Sequence, residues 1–145
     1  MKQVSGLVRK FFEDYERSMQ TANSELLAGQ YGDAFIFAGP QGVQTIPKDD
    51  FLKALPQREG FFKAIGLASS TIQTLDETQL DDNYVMVKTD WKLRFEKDAG
   101  RSIVDEISAT YVLYRQADGL RIVFQLDHQD LLKRVQALGL VPAKG

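Results

Sequence analysis

Cysteine is absent from this 145-residue sequence, and histidine occurs once, as His128. The lack of cysteine excludes disulfides, thiolate zinc sites and cysteine nucleophiles. A single histidine excludes any metal site that needs two histidines from one chain. Charge of neither sign dominates, because 18 basic residues are balanced by 20 acidic ones. The basic residues are scattered along the chain, which argues against a nucleic-acid surface.

Long apolar runs are missing as well. Near the N-terminus only Leu7 and Val8 stand together before Arg9 and Lys10, which is typical of neither a signal peptide nor a membrane span. We therefore expect a cytoplasmic protein that binds no membrane. No glycine-rich phosphate loop follows a strand pattern, and the carboxylates lack the spacing of a calcium loop. We expect no metal, nucleotide or flavin cofactor.

The first part of the sequence has helical periodicity. Apolar residues over 7–19 recur at three- and four-residue spacing, which predicts an amphipathic first helix. Asn23 or Ser24 can cap a second, short helix, which we expect to include Tyr31 and to stop at Gly32.

A short hairpin and a third helix are predicted next. Apolar stretches within 34–46 flank a turn rich in glycine and proline, the pattern of a hairpin. The third helix follows Pro47 and can be capped by Asp49 or Asp50. Pro56 is expected to interrupt it.

From residue 67 onward apolar residues alternate, which predicts β-strands. Turn-forming sequences separate four consecutive strands, expected at 69–79, 83–96, 101–116 and 120–128. A last helix is predicted over 130–138. Together these elements predict one α+β domain over 1–145, in which a curved antiparallel sheet wraps around the N-terminal helices.

Turn lengths predict which strand residues lie opposite each other. A three-residue turn over 117–119 sets the register of the last two strands. Its predicted pairs are Gln116 with Leu120, Thr110 with Leu126 and Ser108 with His128. A four-residue loop over 97–100 sets the preceding register and pairs Glu106 with Trp91 and Ser108 with Thr89. These registers place five polar residues on the apolar sheet face beside Trp91, namely Thr89, Glu106, Ser108, Thr110 and His128.

Glu106 and His128 are the candidate catalytic residues of this arrangement. A carboxyl group in apolar surroundings tends to have a raised pKa, and a neighbouring imidazole can exchange protons with it. Such a pair suits enolisation, isomerisation or dehydration. Asp33 is the alternate base, although an Asp after a Gly is also typical of a turn. Polar residues that only hydrogen-bond to one another are the competing interpretation.

Pocket walls and a dimer surface follow from the same registers. The residues expected to shape the pocket are Trp91, Ser108, Thr110, Tyr15, Phe12 and Phe95. The opposite sheet face, on which Ile107, Tyr111 and Leu113 are expected, mixes apolar and charged residues. A half-apolar face of this kind favours a homodimer.

The order of the elements resembles the nuclear transport factor 2-like superfamily, the cystatin-like α+β cone, and within it the SnoaL-like and ketosteroid-isomerase-like group. The resemblance covers residues 4–138 and includes the KDDFLKAL helix and the strand pair ending in YRQADGLRIVFQLDH. It implies a cone with an internal pocket and frequent dimerisation through the sheet. It also implies a polar pocket residue near Asp33 and a histidine near the position of His128.

Two functions remain open. The first is an enzyme that isomerises, cyclises or dehydrates a small, largely apolar compound by acid–base chemistry. The second is a non-catalytic domain that binds a small apolar ligand or only dimerises. A shared fold does not decide between them.

Overall fold

Helical spacing in the first residues produces helix α1, Gly6–Thr21, as expected. The computed structural model describes residues 5–21, 23–96 and 100–140. The buried side chains of α1 lie on one face, at Val8, Phe11, Phe12, Tyr15 and Ser18. Asn23 caps helix α2, Ser24–Ala28, by accepting a hydrogen bond from the Leu26 amide at 3.1 Å.

The prediction that α2 includes Tyr31 was wrong. The helix ends at its C-cap, Gly29, and Tyr31 begins strand β1, Tyr31–Gly39. The Tyr31 ring is buried against Phe35 and Phe51, with ring centroids 4.5 and 4.6 Å away. Packing in the core therefore decides the conformation of this residue over its helical spacing.

The predicted hairpin is present. Strand β1 pairs antiparallel with β2, Gly42–Pro47, across a two-residue turn between Gly39 and Gly42. Helix α3, Lys48–Ala64, then begins at Pro47, which has no side chain that can cap. Asp49 and Asp50 lie in its first turn, where their negative charges interact favourably with the helix dipole. Neither is the N-cap, contrary to the prediction.

Helix α3 also continues through Pro56, contrary to the expected interruption. Proline removes one backbone hydrogen bond from a helix interior. On either side of Pro56, the helix is anchored by Leu55, which is buried, and by Ile65, its fully buried C-cap. Burial of apolar side chains on both sides offsets the lost hydrogen bond.

Four long strands and a short helix complete the chain: β3, Leu67–Gln79; β4, Tyr84–Phe95; β5, Ile103–Gln116; β6, Gly119–Asp127; and α4, Leu131–Ala137. The sheet has the strand order β2-β1-β6-β5-β4-β3. We expected an antiparallel sheet. Strand β1 runs parallel to β6, however, so the sheet is mixed. The long connection from β2 through α3 and three strands makes this parallel pairing possible.

The predicted register between β4 and β5 was wrong by one residue. Trp91 pairs with Ile107, and Glu106 pairs with Lys92. Because successive strand residues face opposite sides, this shift moves every β5 side chain to the other face. Tyr111 is therefore buried on the inner face that α1 covers, as are Ala109 and Leu113. Residues 97–99 of the predicted loop lie outside the described residues.

The register between β5 and β6 was right at one end only. Gln116 pairs with Gly119 across a two-residue turn, and not with Leu120 as predicted. A β-bulge in β6 then restores the expected pairing of Thr110 with Leu126. The extra residue also reverses which side chains face inward beyond it. Gln125 and Asp127 consequently face inward, whereas Leu126 and His128 face outward.

Helix α1 covers the inner face of the sheet, as predicted. Its Phe12 ring lies 5.3 Å from Tyr111, and its Tyr15 ring lies 6.0 Å from Trp91. No helix within the described ranges is long and apolar enough to cross a membrane. The cytoplasmic location stays a prediction.

Candidate functional site

A cavity of about 90 Å³ lies between the inner sheet face and helices α1 and α3. Much of its wall is apolar and includes Ile65, Leu67, Trp91, Leu93, Phe95 and Leu131. The polar wall includes Tyr15, Arg58, Tyr111, Gln125 and Asp127. An apolar cavity with a few polar groups gathered together is the usual form of a small-molecule site.

A chain of hydrogen bonds crosses the polar side of the cavity. Tyr31 donates to Gln125 Oε1 at 2.8 Å, and Gln125 Nε2 donates to Asp127 Oδ1 at 3.0 Å. Because the Tyr31 proton is committed to Gln125, its oxygen accepts from Tyr15 at 3.0 Å. Tyr111 donates to Tyr15 at 3.4 Å. All four hydrogen bonds therefore point toward the Asp127 carboxylate.

The surroundings of Asp127 shift the pKa of its carboxyl group. Burial raises the pKa of its carboxyl group, although the Gln125 amide, Arg58 and His128 act in the opposite direction. Burial also raises the pKa of Tyr31 and of Tyr111, so both phenols stay neutral at physiological pH. A carboxyl group with a raised pKa is a stronger base when ionised and keeps its proton to a higher pH than an exposed one does.

Arg58 supplies the positive charge of the cavity. Burial lowers the pKa of its guanidinium, but the nearby Tyr15, Tyr31, Tyr111 and Asp127 raise it further, and the net shift is upward. The guanidinium carbon lies 5.2 Å from the centroid of the Phe62 ring, in cation–π contact. Arg58 is therefore always charged when it faces the cavity.

Asp127 is accessible from two sides. A groove of about 520 Å³ lies between the β1–β2 hairpin and the start of α4. It shares Asp127, Gln129 and Leu131 with the wall of the cavity. The hairpin is tied to α4 at this point because Gln41 donates a hydrogen bond of 2.7 Å to Asp130. The groove gives a small molecule a route to the carboxyl group.

The structure does not bring the three predicted catalytic residues together in the cavity. Glu106 is exposed on the outer sheet face opposite Lys92. His128 is also exposed there, with Nε2 2.7 Å from the Thr110 hydroxyl oxygen. Asp33 is exposed near Lys48, with 4.0 Å between carboxylate oxygen and ammonium nitrogen. The predicted cluster was wrong because the β4–β5 register differs by one residue from the predicted one, which places Glu106, Thr110 and His128 on the face opposite to Trp91.

The six predicted pocket residues are divided between the two faces. Tyr15, Trp91 and Phe95 contribute to the cavity wall, whereas Phe12 is buried in the core beside it. Thr110 lies on the outer face with His128. Ser108 reaches the wall, but its hydroxyl donates outward to Asp90 at 2.8 Å. Among the described residues, no three His, Cys, Asp or Glu side chains are placed to hold a metal ion.

Sequence reasoning missed Arg58, Tyr111, Gln125 and Asp127. Tyr111 was assigned to the outer face by the one-residue error in register. Gln125 and Asp127 pair with Tyr111 and Ala109, so the same error assigned them to the outer face. Arg58 follows Pro56, where the helix was expected to break.

Replacing Asp127 by asparagine is expected to stabilise the protein at pH 7 by about 1 kcal/mol. Because burial raises the folded-state pKa of Asp127, the folded chain holds this proton more tightly than the unfolded chain does. The stabilisation that results from this tighter proton binding is thus fully present below the pKa that Asp127 has in the unfolded chain. It is lost as the pH rises through the pKa that Asp127 has in the folded chain. The amide still accepts the Gln125 hydrogen bond but carries no charge. Urea denaturation at pH 4 and 7 should show that the gain shrinks with acidity.

Asp105→Asn is the control of opposite sign. A hydrogen bond from Arg134 lowers the pKa of Asp105, so its stabilising contribution is present above the unfolded pKa. This variant should be less stable than the parent at pH 7. A loss of stability at pH 7 in Asp127→Asn would contradict the burial of an unfavourable charge at Asp127.

The comparisons with known proteins come from sequence and from structure. A sequence model of the NTF2-like protein family DUF6841 matches residues 3–130. No curated protein matches the chain. Among solved structures, Aln2 from a Streptomyces species is similar with a TM-score of 0.73 and 17% sequence identity, over 92% of this chain and 98% of that chain.

Two further structures have the same fold. An NTF2-like protein with a cystatin-like fold from Novosphingobium aromaticivorans has a TM-score of 0.69 and 12% identity, over 89% of this chain and 86% of that one. A ketosteroid isomerase-like protein from Erwinia carotovora atroseptica has a TM-score of 0.62 and 12% identity, over 84% of this chain and 92% of that one. Identities this low establish the fold alone. Both comparisons confirm the predicted resemblance, and the chain belongs to the DUF6841 family of NTF2-like proteins.

Proposed function

We propose that this NTF2-like domain binds a small, largely apolar molecule in the cavity and exchanges a proton with it through Asp127. One observation carries the proposal: a carboxyl group with a raised pKa lies at the polar side of an otherwise apolar cavity, beside the Arg58 cation. Perturbed carboxyl groups in cavities are typical of functional sites.

The size of the cavity limits the ligand. A cavity of about 150 Å³ in another protein holds benzene, and the cavity here measures about 90 Å³. By this comparison a compound of about six heavy atoms needs more space than the cavity has as it stands. Its binding requires movement at Met19, Arg58 and Phe62, which line the cavity and are only partly buried.

Proton transfer next to a carbonyl is the chemistry that suits this site. An ionised Asp127 can remove a proton from the carbon beside a carbonyl group, which leaves an enolate. The phenolic protons of Tyr15 and Tyr31 are committed to the hydrogen-bond chain. The N–H groups of Arg58 are therefore the donors that can stabilise the enolate oxygen. Return of the proton to a different carbon completes an isomerisation.

Cyclopentanone, with six heavy atoms, is a suitable probe for binding and for proton exchange. Trp91 is the only tryptophan of the chain and lines the cavity, so its fluorescence reports occupancy. We expect saturable quenching by cyclopentanone and accelerated exchange of its α-hydrogens in deuterated water, measured by NMR. Asp127→Asn should retain the quenching and lose about 100-fold in exchange rate, the usual contribution of a general base.

Asp90→Asn is the matched control for that experiment. Asp90 is also on the sheet, but it binds Thr74 and Ser108 on the outer face. Its replacement should leave quenching and exchange unchanged. Quenching without exchange in the parent protein would favour the non-catalytic alternative, and a lack of quenching would contradict ligand binding in the cavity.

A second copy of the chain is the partner that the outer sheet face favours. Val104 and Tyr84 are 49% and 38% exposed there, and Val112, Tyr114, Phe124 and Leu126 are only partly buried. Lys88, Lys92 and Glu106 provide charges of both signs, which suit a self-complementary two-fold contact.

The dimer is tested by mass and by one substitution. Light scattering should give about twice the 16.4 kDa mass of one chain. Val112→Lys places a charge at the centre of the face and should give a monomer that keeps its fold and its Trp91 quenching. Lys53→Glu, on the exposed side of α3, should leave the mass unchanged. A parent protein that is monomeric at micromolar concentration would contradict the dimer.

A further inference from the structure

Arg58 is a partly buried cation without a carboxylate partner. None of the ion pairs among the described residues involves it, and it has no hydrogen bond to any described residue. Its side chain nevertheless lines the cavity, where it contacts the Phe62 ring. A guanidinium group has five N–H donors in a planar fork. No described residue of the cavity wall accepts a hydrogen bond from these donors.

Asp127 is not the carboxylate partner of Arg58. Its carboxylate lines the same cavity and influences Arg58 electrostatically, but the two groups are not within ion-pairing distance. Asp127 is instead held by Gln125, whose amide donates to it at 3.0 Å. Arg58 and Asp127 therefore line one cavity without being paired to each other.

We propose that the molecule bound in the cavity is a small carboxylic acid whose carboxylate pairs with Arg58. This inference rests on the ligand-binding part of the proposed function alone and names the class of the ligand, because a bound carboxylate favours the protonated form of Asp127, which cannot act as a base. A carboxylate presents two oxygens in the spacing of a guanidinium fork, which favours two parallel hydrogen bonds. Its single charge matches the single cation of the cavity. The apolar remainder of the acid then packs against Trp91, Leu93 and Phe95.

The same geometry predicts that carboxylate binding depends on the charge of Asp127. Two carboxylates in one small cavity cannot both be ionised without cost, so binding favours protonation of Asp127. The groups that face Asp127 are Tyr15 from α1, Tyr31 from β1, Arg58 from α3, Tyr111 from β5 and Gln125 and His128 from β6 and its end. The tyrosines are neutral and Arg58 is always charged.

His128 also acts on the charge of Asp127. When it is positively charged, it lowers the pKa of Asp127. The variant His128→Gln removes the influence of His128 on Asp127 and leaves the cavity wall intact. The pH dependence that remains in this variant therefore comes from Asp127 itself. Carboxylate affinity should still rise in this variant as the pH falls toward the pKa of Asp127, which burial raises.

Isobutyrate and isobutyramide form the test pair, since they differ only in charge and in one atom of the head group. The indole N–H of Trp91 gives one identifiable NMR signal, and its donor bond to Thr89, 2.7 Å long, holds it at the cavity wall. We expect isobutyrate to bind at least about tenfold more tightly than the amide at pH 6, as hydrogen bonds to charged groups usually allow. Arg58→Gln should abolish this preference, and Asp127→Asn should tighten isobutyrate binding at pH 7.

Arg58→Met and Arg115→Gln complete the design. The first keeps the apolar stem of the side chain and should lose the preference as Arg58→Gln does. Arg115→Gln removes an exposed arginine at the far end of β5 and should keep the preference for isobutyrate. Equal binding of the two probes to the parent protein overturns the carboxylate inference but leaves small-molecule binding intact. If neither probe moves the Trp91 signal and cyclopentanone does not quench it, both proposals fail.

Discussion

Replacing Phe12 by alanine is expected to lower the free energy of unfolding by about 3–5 kcal/mol. Phe12 is 1% exposed and stands at the centre of the contact between α1 and the sheet. Its ring lies 5.2 Å from Phe11 and 5.3 Å from Tyr111. The substitution removes buried apolar area and leaves a cavity that the sheet cannot fill by relaxing. Urea denaturation measures the change.

Leu7→Ala is the matched control on the same helix. Leu7 is 45% exposed, so its removal takes less apolar area out of the core. We expect a loss of under about 1 kcal/mol from this change. Equal losses in the two variants would mean that α1 does not cover the sheet with the face described above.

Replacing Gln125 by leucine should cost about 2–4 kcal/mol, because it removes two buried hydrogen bonds, one of them to a charged group. Gln125 accepts from Tyr31 and donates to Asp127. Leucine has a similar volume but leaves the phenol without an acceptor and the carboxylate without its donor. Thermal unfolding with calorimetry, at constant protein concentration, is the measurement.

Part of this loss should be recovered by a second substitution. In Gln125→Leu with Asp127→Asn, the group left without a donor is neutral, so its burial costs less. At pH 7 Asp127→Asn should therefore stabilise the Gln125→Leu variant more than it stabilises the parent protein. Gln116→Leu, at the exposed end of β5, should change stability little. Equal gains from Asp127→Asn in the two backgrounds would show that the hydrogen bond to Asp127 has no energetic importance.

The fold could be predicted from the sequence because it depends on periodicity. The helical spacing of α1 and the alternation of β3 to β6 each extend over many residues, so errors at single positions leave the pattern intact. The hairpin was predictable for a different reason, since Gly42 adopts a positive φ of 129°, which favours glycine. The parallel pairing of β1 with β6 left no local pattern, because its partners are far apart in the sequence.

The site could not be predicted because it depends on single residues. The pairing of β4 with β5 differs by one residue from the predicted register, and one residue decides which face a side chain occupies. Glu106 and Asp105 exchange faces by this shift. His128 attracted interest as the only histidine, whereas its neighbour Asp127 is the inward-facing group.

The carboxyl carbon of Asp127, followed by ¹³C NMR over pH with and without cyclopentanone, tests most directly whether the cavity is the functional site. We expect Asp127 to titrate above the ordinary aspartate pKa of about 3.9, because burial raises its pKa, and we expect the ligand to move this titration further. An ordinary aspartate titration that cyclopentanone does not affect would contradict both the buried carboxyl group and its contact with the bound molecule.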